Sequence, residues 1–250
     1  MARGLEPLDS AEIYAITLDE IHDEFAFTTL LNAAPPDVRE KAQRYVFFAD
    51  QARCLLADAL VRLSISNATG IKPDRVSYEY GAMDKPRFAD INGWFFNKAH
   101  SGQWVLVGLS KYEIGVDVEQ VDEPTLPLAK YAFHPKEYRV YERSGKKSDF
   151  YRFWTLKESY IKYLGVGLSM ALDSFYFTVS SRAIKLHHER SRRDFDGLAS
   201  ADYAGRSPNF FTFNPDDEHF AAVCTDAPNI GSIRRVRLSD IFDNIKKPQT

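Results

Sequence analysis

A long segment of helical periodicity followed by a series of short strand-like runs occurs twice in this 250-residue chain. In the first half, apolar positions Val38, Ala42, Tyr45, Ala49, Ala52, Leu56, Leu60 and Leu63 recur at helical spacing, and Pro35-Pro36 supply a start, so the pattern predicts one helix over 36–65. Strand-like runs at 76–80, 94–96, 104–109 and 114–119 follow, separated by turn residues such as Asn92-Gly93 and Ser101-Gly102. In the second half, a helical stretch over 150–164 stops at Gly165, a residue suited to a left-handed cap. Runs at 175–179, 183–187, 210–213 and 220–224 come after it. The repeat lies in element order, not residue identity, and it predicts two similar α+β lobes packed as a pair. Residues 122–127 read as the connector, 128–149 as weakly helical, and 190–206 as a surface loop whose Arg190, Arg192 and Arg193 form a solvated face. The residues after Asn244 read as a polar tail.

Composition removes several classes of function. Thirty-two basic against 35 acidic side chains leave a net charge of −3, without the basic excess of a nucleic-acid binder. At 44% hydrophobic and 14% aromatic, the chain has enough apolar surface for a core rich in rings. Cys54 and Cys224 are too few for a disulfide framework or a structural zinc site. The first ten residues lack the apolar stretch of a signal peptide, and no apolar run approaches the ~20 residues of a membrane span. The expectation is a cytoplasmic protein with no membrane partner.

Three segments break ordinary structural rules. Residues 114–119 alternate, sending Ile114, Val116 and Val118 to one face and Gly115, Asp117 and Glu119 to the other. Two carboxylates on one strand face repel unless a cation or proton lies between them. Gly115 would leave room there for a ligand. The pattern suits either the polar side of an edge strand or a hard-cation site, since Mg²⁺ takes carboxylates together with phosphate oxygens. In the helix over 150–164, Lys157 falls inside the stripe formed by Phe150, Phe153, Trp154, Tyr160, Ile161 and Leu164. Glu158 lies at the stripe's edge with Lys162 four residues later, either an i,i+4 ion pair beside a snorkelling Lys157 or a phosphate-and-metal edge. His100, beside Ser101-Gly102, is a local hydrogen-bonding residue on its own showing. His22, His134, His187, His188 and His219 have no metal-ligand spacing, and no GxSxG, Walker or GxGxxG loop occurs.

In order, Phe96-Asn97-x-x-His100-Ser101, Gly115-Val116-Asp117-Val118-Glu119 and Phe153-Trp154-Thr155-Leu156-Lys157-Glu158-Ser159-Tyr160-x-Lys162-x-x-Gly165-x-Gly167-Leu168 resemble the signature blocks of the 4′-phosphopantetheinyl transferases. Length and two-lobed plan resemble the Sfp-type branch rather than the short, trimeric holo-acyl-carrier-protein synthases. The resemblance spans roughly residues 39–224. It implies a pseudo-twofold pair of α+β lobes, 1–112 with the nucleotide contacts and 113–250 with the metal and catalytic residues, the site lying in the cleft between them. It also implies that Mg²⁺ and coenzyme A are bound and that the phosphopantetheine arm passes to a serine of an apo acyl or peptidyl carrier protein, releasing 3′,5′-ADP. Carried over by position, Asp117, Glu119 and Glu158 would hold the metal. Glu158 would be the general base, directly or through water. Lys162 would meet the pyrophosphate with Lys157 in support, and His100 would contact a phosphate. Lys41, Arg44 and Arg53 would reach the nucleotide phosphates, and Lys85-Pro86 would lie beside the adenine. Ala99 replaces a serine usual in the family, and Val38 a basic residue, with Arg39 adjacent. Within 131–138, Phe133 would anchor the carrier, or else belong to the lobe core. A monomer is expected, because two lobes can form the cleft within one chain. Two other readings use the same residues: a Mg²⁺-dependent phosphohydrolase, and a non-catalytic coenzyme A or carrier binder, which would be expected to have lost one of Asp117, Glu119, Glu158 or Lys162.

Overall fold

Strand β1 (Ser10–Thr17) alternates with both faces buried: Ala11, Ile13 and Ala15 enter one core, Tyr14 and Ile16 another. The structure is a computed structural model that describes residues 10–81, 83, 85–123, 126–188 and 207–245. The expected loop over 190–206 lies outside these residues, as does the tail beyond residue 245.

Three helices follow β1: α1 (Glu24–Ala33), α2 (Pro36–Gln43) and α3 (Phe48–Thr69). The single helix expected over 36–65 is therefore two. Arg44 is still helical (φ −75°, ψ −20°), but Phe47 is extended (φ −91°, ψ 135°). Val46 and Phe47 are 87% and 72% exposed, so no buried face holds the helix together there. The Gln51 amide donates to the Tyr45 carbonyl across the break at 2.8 Å.

Next come the hairpin β2 (Tyr78–Tyr80) and β3 (Pro86–Phe88), then β4 (Phe95–Ser101), β5 (Trp104–Ser110) and β6 (Ile114–Gln120). The second half begins with α4 (Leu126–Ala132), α5 (Pro135–Ser144) and α6 (Lys147–Leu164). Gly165 adopts φ 69° after α6, the left-handed cap that the sequence predicts. The hairpin β7 (Phe175–Val179) and β8 (Ile184–His188) precedes β9 (Asn209–Phe213) and β10 (His219–Thr225). The described chain closes with β11 (Asn229–Ile230), β12 (Arg234–Arg235) and α7 (Leu238–Ile245).

The fold is α+β, with two main sheets. The first runs β11-β1-β5-β4, with β12 also pairing β1, and the second runs β6-β10-β9. Helix α3 covers the outer face of the first sheet through Leu56, Leu60 and Leu63 against Val105, Val107 and Leu109. Helix α6 covers the outer face of the second, packing Leu156, Tyr160 and Tyr163 with Ala222 and Cys224. Between the sheets, Ile13, Leu106, Ile114, Val116, Val118 and Val223 form a third core. The last described residues return to the first half: β11 and β12 pair with β1, and Leu238 and Ile241 join the α3 core. Residues 229–245 therefore complete the first sheet and its core, although they were expected in a lobe of 113–250.

Candidate active site

At the seam, β4 and β6 belong to different sheets and are joined by side chains. The Val116 amide donates to Asn97 Oδ1 at 2.9 Å, and the Gln120 amide donates to Ser101 Oγ at 3.0 Å. These two bonds set the His100 strand beside the Asp117–Glu119 strand.

The expected alternation of β6 is present: Ile114, Val116 and Val118 are buried between the sheets. The opposite face meets α6, not solvent. Gly115 is there for helix approach, which corrects the expectation of ligand space. A Cβ at this position would lie 2.1 Å from the Ser159 carbonyl oxygen and 2.3 Å from the Tyr163 amide nitrogen. The close approach brings Glu158 and Lys162 over Asp117 and Glu119.

Lys162 Nζ donates to Asp117 Oδ1 at 2.6 Å. Glu119 is gripped from both sides, accepting from Ser101 Oγ at 2.8 Å and from the Trp154 indole at 3.3 Å. Burial pushes Asp117 up to about 7, with Lys162 opposing and Glu119 and Glu158 reinforcing the rise. Glu158 is also raised, first by burial and then by Glu119, again against Lys162. Burial alone would lower Lys162, but Asp117, Glu158 and Glu119 hold it above its ordinary value. One carboxylate oxygen, Asp117 Oδ2, is buried with no hydrogen-bond partner. Three carboxylates and an unpaired oxygen are the donor chemistry a hard divalent cation takes. Among the described residues, no three His, Cys, Asp or Glu side chains are already drawn together as a metal cage; Lys162 is the cation that now contacts Asp117.

His100, exposed on β4, is held below its ordinary value by partial removal from water, then by Arg53 and Lys162. Arg53 lies on α3, paired with Asp50 at 2.7 Å and donating twice to the Gly102 carbonyl at 2.9 and 2.8 Å. Lys41 is exposed at the end of α2, close enough for its charge to add to the burial that lowers Lys98 and to oppose the burial that raises Cys54. Arg44 is exposed and its side chain pairs with Glu40 at 2.5 Å.

Two expected site residues, Lys157 and Phe133, lie elsewhere, and a third, Lys85, has its ammonium engaged within the protein. Lys157 is fully buried, ion-paired with Glu137 at 2.8 Å and donating to the Leu172 and Phe175 carbonyls at 2.8 and 2.6 Å. Its three donors are occupied, so it cannot support a phosphate. Lys85 donates to Glu113 at 2.9 Å and to the Ile114 and Tyr163 carbonyls at 3.3 and 2.9 Å. Its ammonium ties the start of β6 to the end of α6, leaving Pro86 at the rim of a cavity of about 200 Å³ that Trp94 and Phe96 also line. Phe133 is 2% exposed among Tyr141, Phe150 and Phe153, so it is core and cannot anchor a carrier. Ala99 is buried between the sheets, on the strand face opposite His100.

Sequence reasoning missed the tethers Asn97, Ser101 and Trp154, the counter-ion Glu137, and Lys98. Asn97, Ser101 and Trp154 stand inside the quoted motif blocks, and Lys98 carried a signal of another kind. A period of two along 96–101 puts it on the face of His100.

Residues 113–223 match the family described as the 4′-phosphopantetheinyl transferase superfamily, and residues 22–111 match 4′-phosphopantetheinyl transferase, N-terminal. The 4′-phosphopantetheinyl transferase Sfp of Bacillus subtilis (strain 168) is 30% identical over 223 residues, 87% of this chain and 93% of that protein. HetI of Nostoc, also named a 4′-phosphopantetheinyl transferase, is 30% identical over 172 residues, 64% of this chain and 71% of that one. A phosphopantetheinyl transferase of Thraustochytrium is 28% identical over 212 residues, 75% and 68% of the two chains. Coverage by both family descriptions, together with the near full-length relative from Bacillus, places this chain among the 4′-phosphopantetheinyl transferases, in their Sfp-type branch.

Proposed function

We propose that this enzyme moves the 4′-phosphopantetheine arm of coenzyme A to a serine hydroxyl of an apo acyl or peptidyl carrier protein, dependent on Mg²⁺ and releasing 3′,5′-ADP. The observation that carries the reading is the seam itself. Asp117, Glu119, Glu158 and Lys162 converge there from two elements, and His100 stands within electrostatic reach of Lys162. Asp117, Glu119 and Glu158 would hold Mg²⁺, which when bound offsets charge on the phosphate oxygens. The buried, unpartnered Asp117 Oδ2 supports that assignment.

The remaining work falls to the chain. Glu158, raised above the ordinary carboxylate range by burial, accepts the serine proton directly or through a water. The serine oxygen forms its bond to the phosphorus as the bond from that phosphorus to the 3′,5′-ADP oxygen breaks. Lys162, kept charged by three carboxylates, offsets the charge that develops on the leaving nucleotide. His100, Arg53 and Lys41 steady the phosphates. We read residues 1–112 as the nucleotide-binding lobe and 113–250 as the catalytic lobe of a pseudo-twofold pair, with the segment 229–245 packed back onto the first lobe. The two family matches, ending at 111 and starting at 113, support that division. Both walls of the site come from one chain, which supports a monomer. Among the described residues no helix is long and apolar enough to cross a membrane.

The test incubates the protein with coenzyme A and Mg²⁺, with and without an apo-carrier. A carrier that gains the mass of phosphopantetheine, with 3′,5′-ADP formed only when it is present, supports the reading. Nucleotide release without carrier would make the enzyme a hydrolase, and no product across a panel of carriers would leave a binder. Glu158→Gln should lower turnover by about 100-fold or more while the fold is retained. Transfer at the full rate would remove the general-base assignment.

A further inference from the structure

Along one face of α3, Asp58, Arg62 and Ser66 follow one another at steps of four, each at most 8% exposed. They form one wall of a cavity of about 700 Å³, which Leu30 of α1, Val76 and, from α7, Ile241 and Asn244 also line. That volume falls in the range of small-molecule sites, roughly 300–1,000 Å³. None of the residues proposed to hold metal or coenzyme A lines it. Three polar side chains on its walls have unused capacity. Arg62 donates from Nε to Asp58 Oδ2 at 2.7 Å and from Nη1 to the Pro73 and Val76 carbonyls at 2.7 and 2.6 Å. Among the described residues, nothing accepts from its Nη2 or from the Ser66 hydroxyl. Asn244 is 3% exposed, and neither its Oδ1 nor its Nδ2 has a partner. A buried carboxamide with both ends unused is rare in a packed interior, because each end loses water and gains nothing in return.

The walls also indicate the chemistry of the ligand. Asp58 matches the charge of Arg62, so an ion entering here would be buried without a counter-charge. The rim carries both signs, with half-buried Lys72 and exposed Asp37 and Asp74. The remaining surface is largely aliphatic, through Leu30, Leu55, Val76 and Ile241, and suits the body of a ring. We infer that the cavity between α3 and α7 binds an uncharged cyclic amide, at a site separate from that proposed for coenzyme A and metal. The ligand carbonyl accepts from Arg62 Nη2 and Ser66 Oγ. Its N–H donates to Asn244 Oδ1 once that side chain turns toward the cavity. The ring lies on the aliphatic wall.

Two probes of one shape test this by chemical-shift titration of the full chain: the bicyclic lactam 3,4-dihydroisoquinolin-1(2H)-one, and tetralin, which lacks the amide. Wild type should bind the lactam about 10-fold more tightly than tetralin, or better. Ser66→Ala and Asn244→Leu should each weaken the lactam by about 10-fold, leave tetralin unchanged and bind coenzyme A as wild type does. Failure of wild type to bind the lactam, or equal affinity for the two probes, overturns the proposal. So does an N244L variant that keeps the wild-type affinity for the lactam. Displacement of the lactam by coenzyme A also overturns it, because the two would then share one site. A crystal structure of the wild type with the lactam gives a second measurement, independent of how the variants fold. The lactam should lie between Arg62, Ser66 and Asn244; water alone in that place, or the lactam only elsewhere, overturns the proposal.

Discussion

Lys157 carries its charge through a ring-lined core, with Glu137 at 2.8 Å and the Phe175 ring centroid 4.3 Å from its nitrogen. Removing one member of such a pair strands the other. Lys157→Met should therefore destabilise the protein by about 3–5 kcal/mol, and the double variant Lys157→Met/Glu137→Leu should recover much of that in chemical denaturation. Turnover per folded molecule should change little, which separates a packing role from a phosphate role. Asp117 gives a pH signature. Its folded value, about 7, lies above its ordinary 3.8, so the fold favours the protonated form. The stability linked to that proton is complete below about pH 4 and is lost as pH rises toward 7. Metal-free protein should therefore show a melting temperature that falls over this window, and Asp117→Asn should flatten the slope.

Between elements, the position of α6 on β6 depends on the absence of one Cβ. Gly115→Ala places an atom 2.1 Å from the Ser159 carbonyl oxygen, and neither backbone can yield cheaply. The expected result is a loss of about 1–3 kcal/mol in stability. Turnover should fall further than stability does, because Glu158 and Lys162 ride on the displaced helix. Trp154→Phe is milder: it frees Glu119 Oε1 from its indole donor while keeping a ring against Phe150. Activity should fall and respond more steeply to Mg²⁺ concentration, measured by titration at fixed coenzyme A. The break between α2 and α3 belongs to this scale as well. Helical periodicity runs through 44–47, but the chain turns where exposed Val46 and Phe47 give the helix nothing to pack against.

For the whole molecule, the proposed site depends on the seam between the sheets, and Asn97 is one of its tethers. Asn97→Ala leaves the buried Val116 amide without an acceptor. It should cost about 1–3 kcal/mol, with a larger proportional loss of transfer than of fold. Phe133→Ala should instead cost about 3–5 kcal/mol with an unchanged Michaelis constant for the carrier, since the side chain fills the core of the second half.

Local patterns made much of this protein readable: the period of two in β6, the stripe and glycine stop of α6, the α+β order, and the motif blocks that resemble a known family. These depend on neighbours in sequence, which periodicity and turn chemistry report directly. Strand β1 escaped that reading because both its faces are buried and its sheet neighbours β5, β11 and β12 come from distant parts of the chain. The fates of Lys85, Lys157 and Phe133 were decided in the same way, by partners such as Tyr163, Glu137 and Phe150 that only the packed structure supplies. The amino-acid order determined which groups could carry charge and which segments could form helix or strand. Packing alone decided which of those charges are satisfied inside the protein and which, like Asp117 Oδ2, are not, because hydrogen-bond satisfaction depends on contacts that do not exist until distant segments meet.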